Sequence, residues 1–181
     1  MLEKIREIVR EAAEKDDWKY HILPVVEYAK ILAKMLHADE ELVEIAALLH
    51  DIGRLRFGGE DHDVTGVSEA ERILRELGCS ADMIDEVTHC VATHRSRKEN
   101  MPNSLIAKIV ANADAMAHFD SLPIFFYWRS KKESFEEAFK WVDDKIERDW
   151  NQKLTIPEAK KMMEEKYRAI RLILDATKKY Q

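Results

Sequence analysis

Apolar residues recur every three or four positions along nearly the whole chain, with charged residues between them. This spacing puts the apolar side chains on one face of an α-helix and therefore predicts amphipathic helices. The clearest stripes are Leu2, Ile5, Ile8, Val9 and Ala12; Ile22, Val25, Val26, Ala29, Leu32, Ala33 and Leu36; Leu42, Ile45, Ala46, Leu49 and Ile52; and Ile106, Ile109, Val110, Ala113 and Met116. Five glycines and four prolines leave little material for hairpin turns. The pattern predicts an all-α bundle of about eight or nine helices with long C-terminal helices.

Polar residues that commonly cap helices mark several predicted helix starts. These are Asp39, Ser80, and either Asn103 or Ser104 before a helix that reaches about Phe119. Two pairs with the spacing of a capping box predict the starts of the long C-terminal helices: Ser134 with Glu137, and Thr155 with Glu158.

Glycines mark the predicted helix ends and the main loops. The third helix is expected to stop near Gly53, and the fourth, over 64–77, to end at Gly78. Residues 54–63, which include Gly58–Gly59, and the basic stretch 95–102 are predicted to be loops.

The 181 residues suit a single domain, 1–181. Every candidate ligand precedes Asp120, so 16–120 is interpreted as the site-bearing core and 121–181 as a helical cover or a surface for homodimer formation. The net charge of −6 argues against general nucleic-acid binding. No stretch resembles a signal peptide or a membrane span, so a cytoplasmic protein is expected.

His50 and Asp51 are the first candidates for chemistry because they follow the apolar run Ala46-Ala47-Leu48-Leu49, which must be buried. A buried carboxylate needs a partner or a cation. A His–Asp hydrogen bond supplemented by one arginine would satisfy this need, and so would a metal ion.

Two further residues favour the metal ion. His21 lies near the start of a helix, on the side of its apolar face, and Pro24 fits the first turn of that helix or kinks it. Asp114 lies in a helix of small and apolar residues, where a solvated carboxylate is hard to explain. Two imidazoles and two carboxylates suit one divalent transition metal, namely Mn, Fe, Co, Ni or Zn, better than Ca or Mg.

These four elements, in this order, resemble the H…HD…D signature of the HD-domain superfamily of metal-dependent phosphohydrolases. Agreement extends over about residues 16–120 and includes Asp17 before His21, Gly66 after His62, and Thr93-His94-Arg95. The resemblance implies a helical bundle that hydrolyses phosphate esters, above all those of nucleotides, by attack of a metal-activated water.

The resemblance also implies roles for individual residues. The metal ligands are His21, His50, Asp51 and Asp114, and Asp51 would in addition orient the water or accept its proton. His62 and His94 would complete a second metal site or, with one metal, face the substrate and stabilise charge or protonate the leaving oxygen.

Basic residues near these positions are candidates for holding substrate phosphate, although a basic cluster can also be an ordinary solvated surface. They are Arg54, after the doublet, and Arg95, Arg97 and Lys98, after His94. His89 is interpreted as structural or as a support for a ligand, and His37 and His118 are assigned no catalytic role.

The aromatic residues Phe125, Phe126, Tyr127, Trp128, Trp141 and Trp150 are interpreted as core or dimer contacts, with a base-stacking wall as the alternative. Three other functions stay open at this point. They are a di-iron oxygenase that uses His62 and His94 as true ligands, a regulatory module that only senses a nucleotide, and a purely structural bundle.

Overall fold

The computed structural model describes residues 1–58 and 61–180 of the chain. About 80% of the protein is helical and the described residues form no strand, which confirms the all-α prediction. The helices are α1 (Leu2–Ala12), α2 (Lys15–Asp17), α3 (Leu23–Met35), α4 (Glu40–Leu49), α5 (Ile52–Phe57), α6 (His62–Glu76), α7 (Ala81–Thr93), α8 (Leu105–Asp120), α9 (Leu122–Ser130), α10 (Phe135–Arg148) and α11 (Pro157–Lys178). Two π-helical turns, Trp18–Ile22 and Asp149–Lys153, precede α3 and follow α10.

Helix α8 is the centre of the bundle. It packs against α3, α4 and α7, which precede it in the chain, and against α11, which follows it. All residues from 109 to 119 are buried, so the polar side chains Asn112, Asp114 and His118 lie inside the protein. Buried polar groups need partners. Asn112 finds its partners in Thr155 and Ile156, whereas Asp114 and His118 contact each other and other buried charged groups.

Most predicted helix starts agree with the structure. The side chains of Asp39, Ser80 and Ser104 each accept a backbone hydrogen bond at a helix start, and Ser134 forms the predicted capping box with Glu137.

The second predicted capping box is wrong. Helix α11 begins at Pro157, and Ile156 is its N-cap residue. Thr155 is engaged elsewhere: its backbone N–H donates to the side-chain oxygen of Asn112, and its hydroxyl accepts from the amide nitrogen of Asn112.

The loop predicted over 54–63 is also too long. Helix α5 continues to Phe57 because Ile52 is buried and Leu55 packs against the core, and α6 already begins at His62. Gly59 of the predicted Gly58–Gly59 turn lies outside the described residues. Helix α4 ends at Leu49, before the predicted Gly53, so a short turn carries His50 and Asp51 between α4 and α5.

A π-helical turn carries His21. The chain is helical from Lys15 to Met35, and the wide turn lies immediately before Leu23 and Pro24. Proline lacks an N–H and its ring crowds the carbonyl four residues earlier, which a wider turn relieves. His21 is thereby held on the inner side of a continuous helical segment.

Helices α5 and α6 approach each other closely at Gly53 and Gly66. A Cβ atom on Gly53 would overlap the carbonyl oxygen of His62 and lie 2.6 Å from the backbone nitrogen of Gly66. This contact brings the start of α6, with His62, next to the turn that carries Asp51. None of the described helices is long and apolar enough to cross a membrane.

Candidate metal centre

The structure brings His21, His50, Asp51 and Asp114 together at one point. They come from the π-helical turn before α3, the turn between α4 and α5, and the middle of α8. Each is at most 4% exposed. Residues separated by up to 93 positions in the sequence thus share one buried cluster.

The spacing of their polar atoms fits the ligands of one ion. His21 Nε2 lies 3.0 Å from Asp51 Oδ2 and 3.2 Å from His50 Nε2. Asp114 Oδ1 lies 3.7 Å from His21 Nε2 and 3.8 Å from His50 Nε2. With metal–ligand bonds of about 2.0–2.2 Å, neighbouring ligand atoms in a metal site lie about 3–4 Å apart.

The hydrogen bonding of His50 is a direct test of whether a cation fits. Its Nδ1 lies 2.7 Å from the carbonyl oxygen of Ala47, so Nδ1 carries the proton and donates it. In the neutral ring Nε2 then presents a lone pair to His21, Asp51 and Asp114. An imidazole lone pair that converges with two carboxylates on one point suits a bound cation.

Burial keeps His50 neutral. It lowers the pKa of His50 to about 3, against the opposing charges of Asp51 and Asp114. Burial also lowers the pKa of His21. Both imidazoles are therefore neutral at neutral pH, as metal ligands must be.

The two carboxylates stay ionised. Burial alone would raise the pKa of Asp51, but the charge of the Arg54 guanidinium outweighs it and holds the pKa well below its usual range. Burial would likewise raise the pKa of Asp114, and His118 and Lys153 together hold it well below the usual range. The cluster thus combines neutral nitrogens with anionic oxygens at neutral pH.

His62 and His94 lie on the other side of Asp51. Their Nε2 atoms lie 3.2 Å and 3.5 Å from Asp51 Oδ1. His94 Nδ1 lies 2.7 Å from the carbonyl oxygen of Val91, so its Nε2 also points inward as an acceptor. Asp51 is therefore shared by two groups that could each hold an ion, one with His21 and His50 and one with His62 and His94.

Arg54 lies beside the cluster. Its Nε donates to Asp51 Oδ2 and its Nη1 donates to Asp17 Oδ1, both at 2.7 Å. Its Nη2 is buried and has no hydrogen-bond partner among the described residues. One donor of this guanidinium is thus left unsatisfied by the described residues.

The predicted basic loop lies over the start of α6. Arg95 and Arg97 both donate to Asp63 Oδ1 at 3.2 Å, and Lys98 joins them in lining the cavity above the cluster. His89, by contrast, lies outside the cluster and accepts a hydrogen bond from the backbone N–H of Asn103.

The sequence interpretation missed His118. Its Nε2 lies 2.9 Å from Asp114 Oδ1 and its Nδ1 lies 2.7 Å from Asp149 Oδ2, so it belongs to the buried cluster. Lys153 was missed as well: it is 3% exposed, and its Nζ lies 2.5 Å from Asp114 Oδ2. A signal for His118 existed, because Asp114 and His118 are four residues apart and so share one face of a helix.

A cavity of about 430 Å³ opens onto the cluster. Seven of its lining residues are cationic although the chain as a whole is acidic: Arg54, Arg95, Arg97, Lys98, Lys145, Arg148 and Lys153. Phe125, Trp128 and Trp141 form an aromatic side of the same cavity, while Trp150 stacks on Tyr167 with 4.2 Å between ring centroids. The region after residue 120 thus contributes side chains to the site.

Metal-free protein is expected to lose stability as the pH falls below about 6.5. An unfolded histidine binds a proton near that pH, whereas folded His50 remains neutral until about pH 3. The unfolded state then holds more protons than the folded state, so acid favours unfolding by about 1.4 kcal/mol per pH unit for each such histidine.

Urea unfolding of chelator-treated protein between about pH 7.5 and pH 5 measures this slope. His50→Gln is expected to flatten it by about one proton's contribution. His89→Gln controls for the loss of an imidazole outside the cluster. An identical slope in His50→Gln and wild type would contradict the prediction.

The sequence matches the HD domain family over residues 18–118. An uncharacterised protein of Methanocaldococcus jannaschii is 37% identical over 109 residues, which are 52% of this chain and 62% of that protein. Ribonuclease Y of Bacillus subtilis is 33% identical over 129 residues, which are 68% of this chain and 23% of that enzyme. The chain therefore spans less than two thirds of either relative.

Two solved structures share the fold. The predicted HD superfamily hydrolase from an uncultured Thermotogales bacterium is 28% identical, with a TM-score of 0.60, 81% of this chain covered and 90% of that one. Bacillus subtilis YpgQ in complex with ADP is 22% identical, with a TM-score of 0.77, 99% of this chain covered and 94% of that one. The matched region covers more than half of the sequence and contains all four clustered candidate ligands, so this chain belongs to the HD domain family.

Proposed function

We propose that this protein is a metal-dependent phosphohydrolase that cleaves a phosphate ester of a small metabolite, with a nucleotide as the leading substrate class. One observation carries the proposal: a buried cluster of inward-facing imidazoles and ionised carboxylates lies at the base of a cavity with cationic walls. The cluster suits a divalent cation and the walls suit the oxygens of a phosphate group.

The ligands in the proposal are His21, His50, Asp51 and Asp114, and His62 and His94 with Asp51 are the candidates for a second ion. Mn, Fe, Co, Ni and Zn are the metals that such mixed nitrogen and oxygen donors suit best. A bound ion would supply Lewis-acid activation of water and of a phosphoryl oxygen.

The chain's own residues would position the phosphate. The buried Nη2 of Arg54, which has no partner in the described part of the chain, would donate to a phosphoryl oxygen. Arg95, Arg97 and Lys98 would hold the remaining oxygens, and Asp63 keeps both arginines at the cavity. Such preplaced donors stabilise the charge that develops on the phosphoryl oxygens.

The proton transfers would be divided between Asp51 and the two histidines on its far side. Asp51 remains ionised, and this suits it to orient the attacking water by accepting a hydrogen bond rather than to store a proton. His62 and His94, whose Nε2 atoms lie within 3.5 Å of Asp51 Oδ1, would take up the proton released by the attacking water and pass it to the leaving oxygen.

Several features support a small substrate and a nucleotide in particular. The cavity of about 430 Å³ and the net charge of −6 favour a small phosphorylated molecule over a nucleic-acid polymer. Trp128 and Trp141 line the cavity, with Lys145 Nζ 5.7 Å from the centroid of the Trp141 ring, and aromatic side chains of this kind can stack on bases. YpgQ, which shares the fold, is seen with ADP.

A metal-supplemented screen tests the proposal. Chelator-treated protein is incubated with each of the five metals and with nucleoside mono-, di- and triphosphates, p-nitrophenyl phosphate and bis-p-nitrophenyl phosphate, and released product is measured. Hydrolysis is expected with at least one metal and is expected to disappear on renewed chelation.

Other outcomes would replace the proposal with one of its rivals. Nucleotides that raise the melting temperature without any turnover would indicate a sensing module. Two irons per chain with consumption of oxygen would indicate a di-iron oxygenase. Absence of any bound metal would leave a structural bundle.

A further inference from the structure

The π-helical turn Asp149–Lys153 lies outside the region that matches the family, yet two of its side chains reach the centre. Asp149 is fully buried and contacts His118, and Lys153 contacts Asp114. Wide turns of this kind often mark functional positions. Here the turn places an anion and a cation, four residues apart, against the same buried helix α8.

His118 is oriented in the same way as His50. Its Nδ1 lies 2.7 Å from Asp149 Oδ2, and its Nε2 lies 2.9 Å from Asp114 Oδ1. The ring stacks nearly parallel on the ring of His21, with 5.5 Å between centroids and 6° between planes. His118 is therefore fixed on two sides and its inner nitrogen faces the candidate ion.

Asp149 holds the outer nitrogen of His118. Asp149 Oδ2 lies 2.7 Å from His118 Nδ1 and 3.6 Å from Lys145 Nζ, and Asp149 Oδ1 lies 3.4 Å from Arg148 Nη2. Because Nδ1 contacts this carboxylate, Nε2 is the ring nitrogen that faces Asp114 Oδ1, 2.9 Å away.

Lys153 contacts only one oxygen of Asp114 and leaves the other to face the imidazoles. Its ammonium holds Oδ2, the outer oxygen of Asp114, while Oδ1 points towards His21, His50 and His118. Atoms of His21, Asp114 and His118 all lie within 4.8 Å of one another. A histidine whose outer nitrogen donates to a carboxylate is the usual arrangement of a ligating histidine.

We propose that His118 is a further ligand of the ion held by His21 and Asp114, and that Asp149 and Lys153 are the positioning residues that orient His118 and Asp114. The inference rests on the proposed metal centre. It extends that centre with a ligand on the side away from His62 and His94, and it makes the segment after α10 a part of the metal site.

Binding of Co²⁺ alone tests the proposal without any substrate. Its affinity is measured by titration calorimetry on chelator-treated protein, and its visible absorption reports how many ligands surround it. His118→Phe, which keeps the ring stacked on His21, is expected to weaken Co²⁺ binding by at least about 10-fold and to change the absorption. Asp149→Asn is expected to weaken Co²⁺ binding by about 10-fold, because an amide holds Nδ1 of His118 less strongly than the carboxylate does.

His89→Phe is the matched control, since it replaces a histidine of α7 outside the cluster, and wild-type Co²⁺ binding is expected. His118→Gln provides a second, polar replacement, and circular dichroism establishes that each variant is folded. Wild-type affinity and absorption in folded His118 variants would overturn the inference while leaving the proposed function intact. A wild-type protein that binds no Co²⁺ would overturn both.

Discussion

Asp51→Asn is expected to lower phosphate-ester hydrolysis by at least about 100-fold and to abolish tight metal binding. Asp51 is the one residue common to both candidate ion sites: Oδ2 lies 3.0 Å from His21, and Oδ1 lies 3.2 Å from His62. The amide removes the anionic charge that balances Arg54 and a cation, and it turns one of the two oxygens into a donor. The change is nearly isosteric, so the core should retain its packing.

Rates at saturating metal and metal content per chain measure the effect. Asp85→Asn is the matched control because Asp85 is an exposed residue of α7 and is not a member of the buried cluster. Wild-type hydrolysis by a folded Asp51→Asn protein would exclude Asp51 from the reaction. Loss of activity in both variants would point to a general effect of the reduced charge.

Gly53→Ala is expected to destabilise the protein by about 3 kcal/mol or more. The added methyl group would overlap the carbonyl oxygen of His62 and lie 2.6 Å from the nitrogen and 2.8 Å from the Cα of Gly66. These are backbone atoms, so no side-chain rotation relieves the clash, and α5 and α6 must separate. Because α6 begins at His62, that separation would also move His62 away from Asp51.

Gly66→Ala is the matched comparison on the other helix. Its added methyl group would lie 2.9 Å from the Cγ1 atom of Val91, a side-chain end that can move, and a loss smaller than that of Gly53→Ala is expected. Urea unfolding of both variants gives the two free energies. Wild-type stability of Gly53→Ala would show that α5 and α6 do not approach as closely as described.

The fold could be predicted largely from local signals. The periodic spacing of apolar residues indicated the helices. Capping residues such as Ser80, Ser104 and Ser134, which act within one helical turn, indicated where several of them start. Thr155 shows where local reasoning ends. It has the right spacing from Glu158, but Asn112, 43 residues earlier, takes both its N–H and its hydroxyl.

The candidate ligands could be predicted because burial of a charged side chain can be read from its neighbours. Asp114 stands among small and apolar residues, and His50–Asp51 follow an apolar run. Lys153 and Asp149 gave no such signal, because they lie in a polar stretch and their partners are 39 and 31 residues away. Only the packing of the C-terminal segment on α8 places them at the centre.

The cavity is lined by side chains from two stretches of the chain. The candidate ion-binding side chains, with Arg54, Arg95, Arg97 and Lys98, come from the region that matches the HD domain family, whereas Phe125, Trp128, Trp141, Lys145 and Arg148 come from the segment that follows it. Under the proposed function, the first stretch would supply the ion site and part of the phosphate-binding wall, and the second would shape the rest of the space open to a substrate. Relatives that align only over the first stretch would then share the ion-binding side chains and differ in the remaining wall of the cavity.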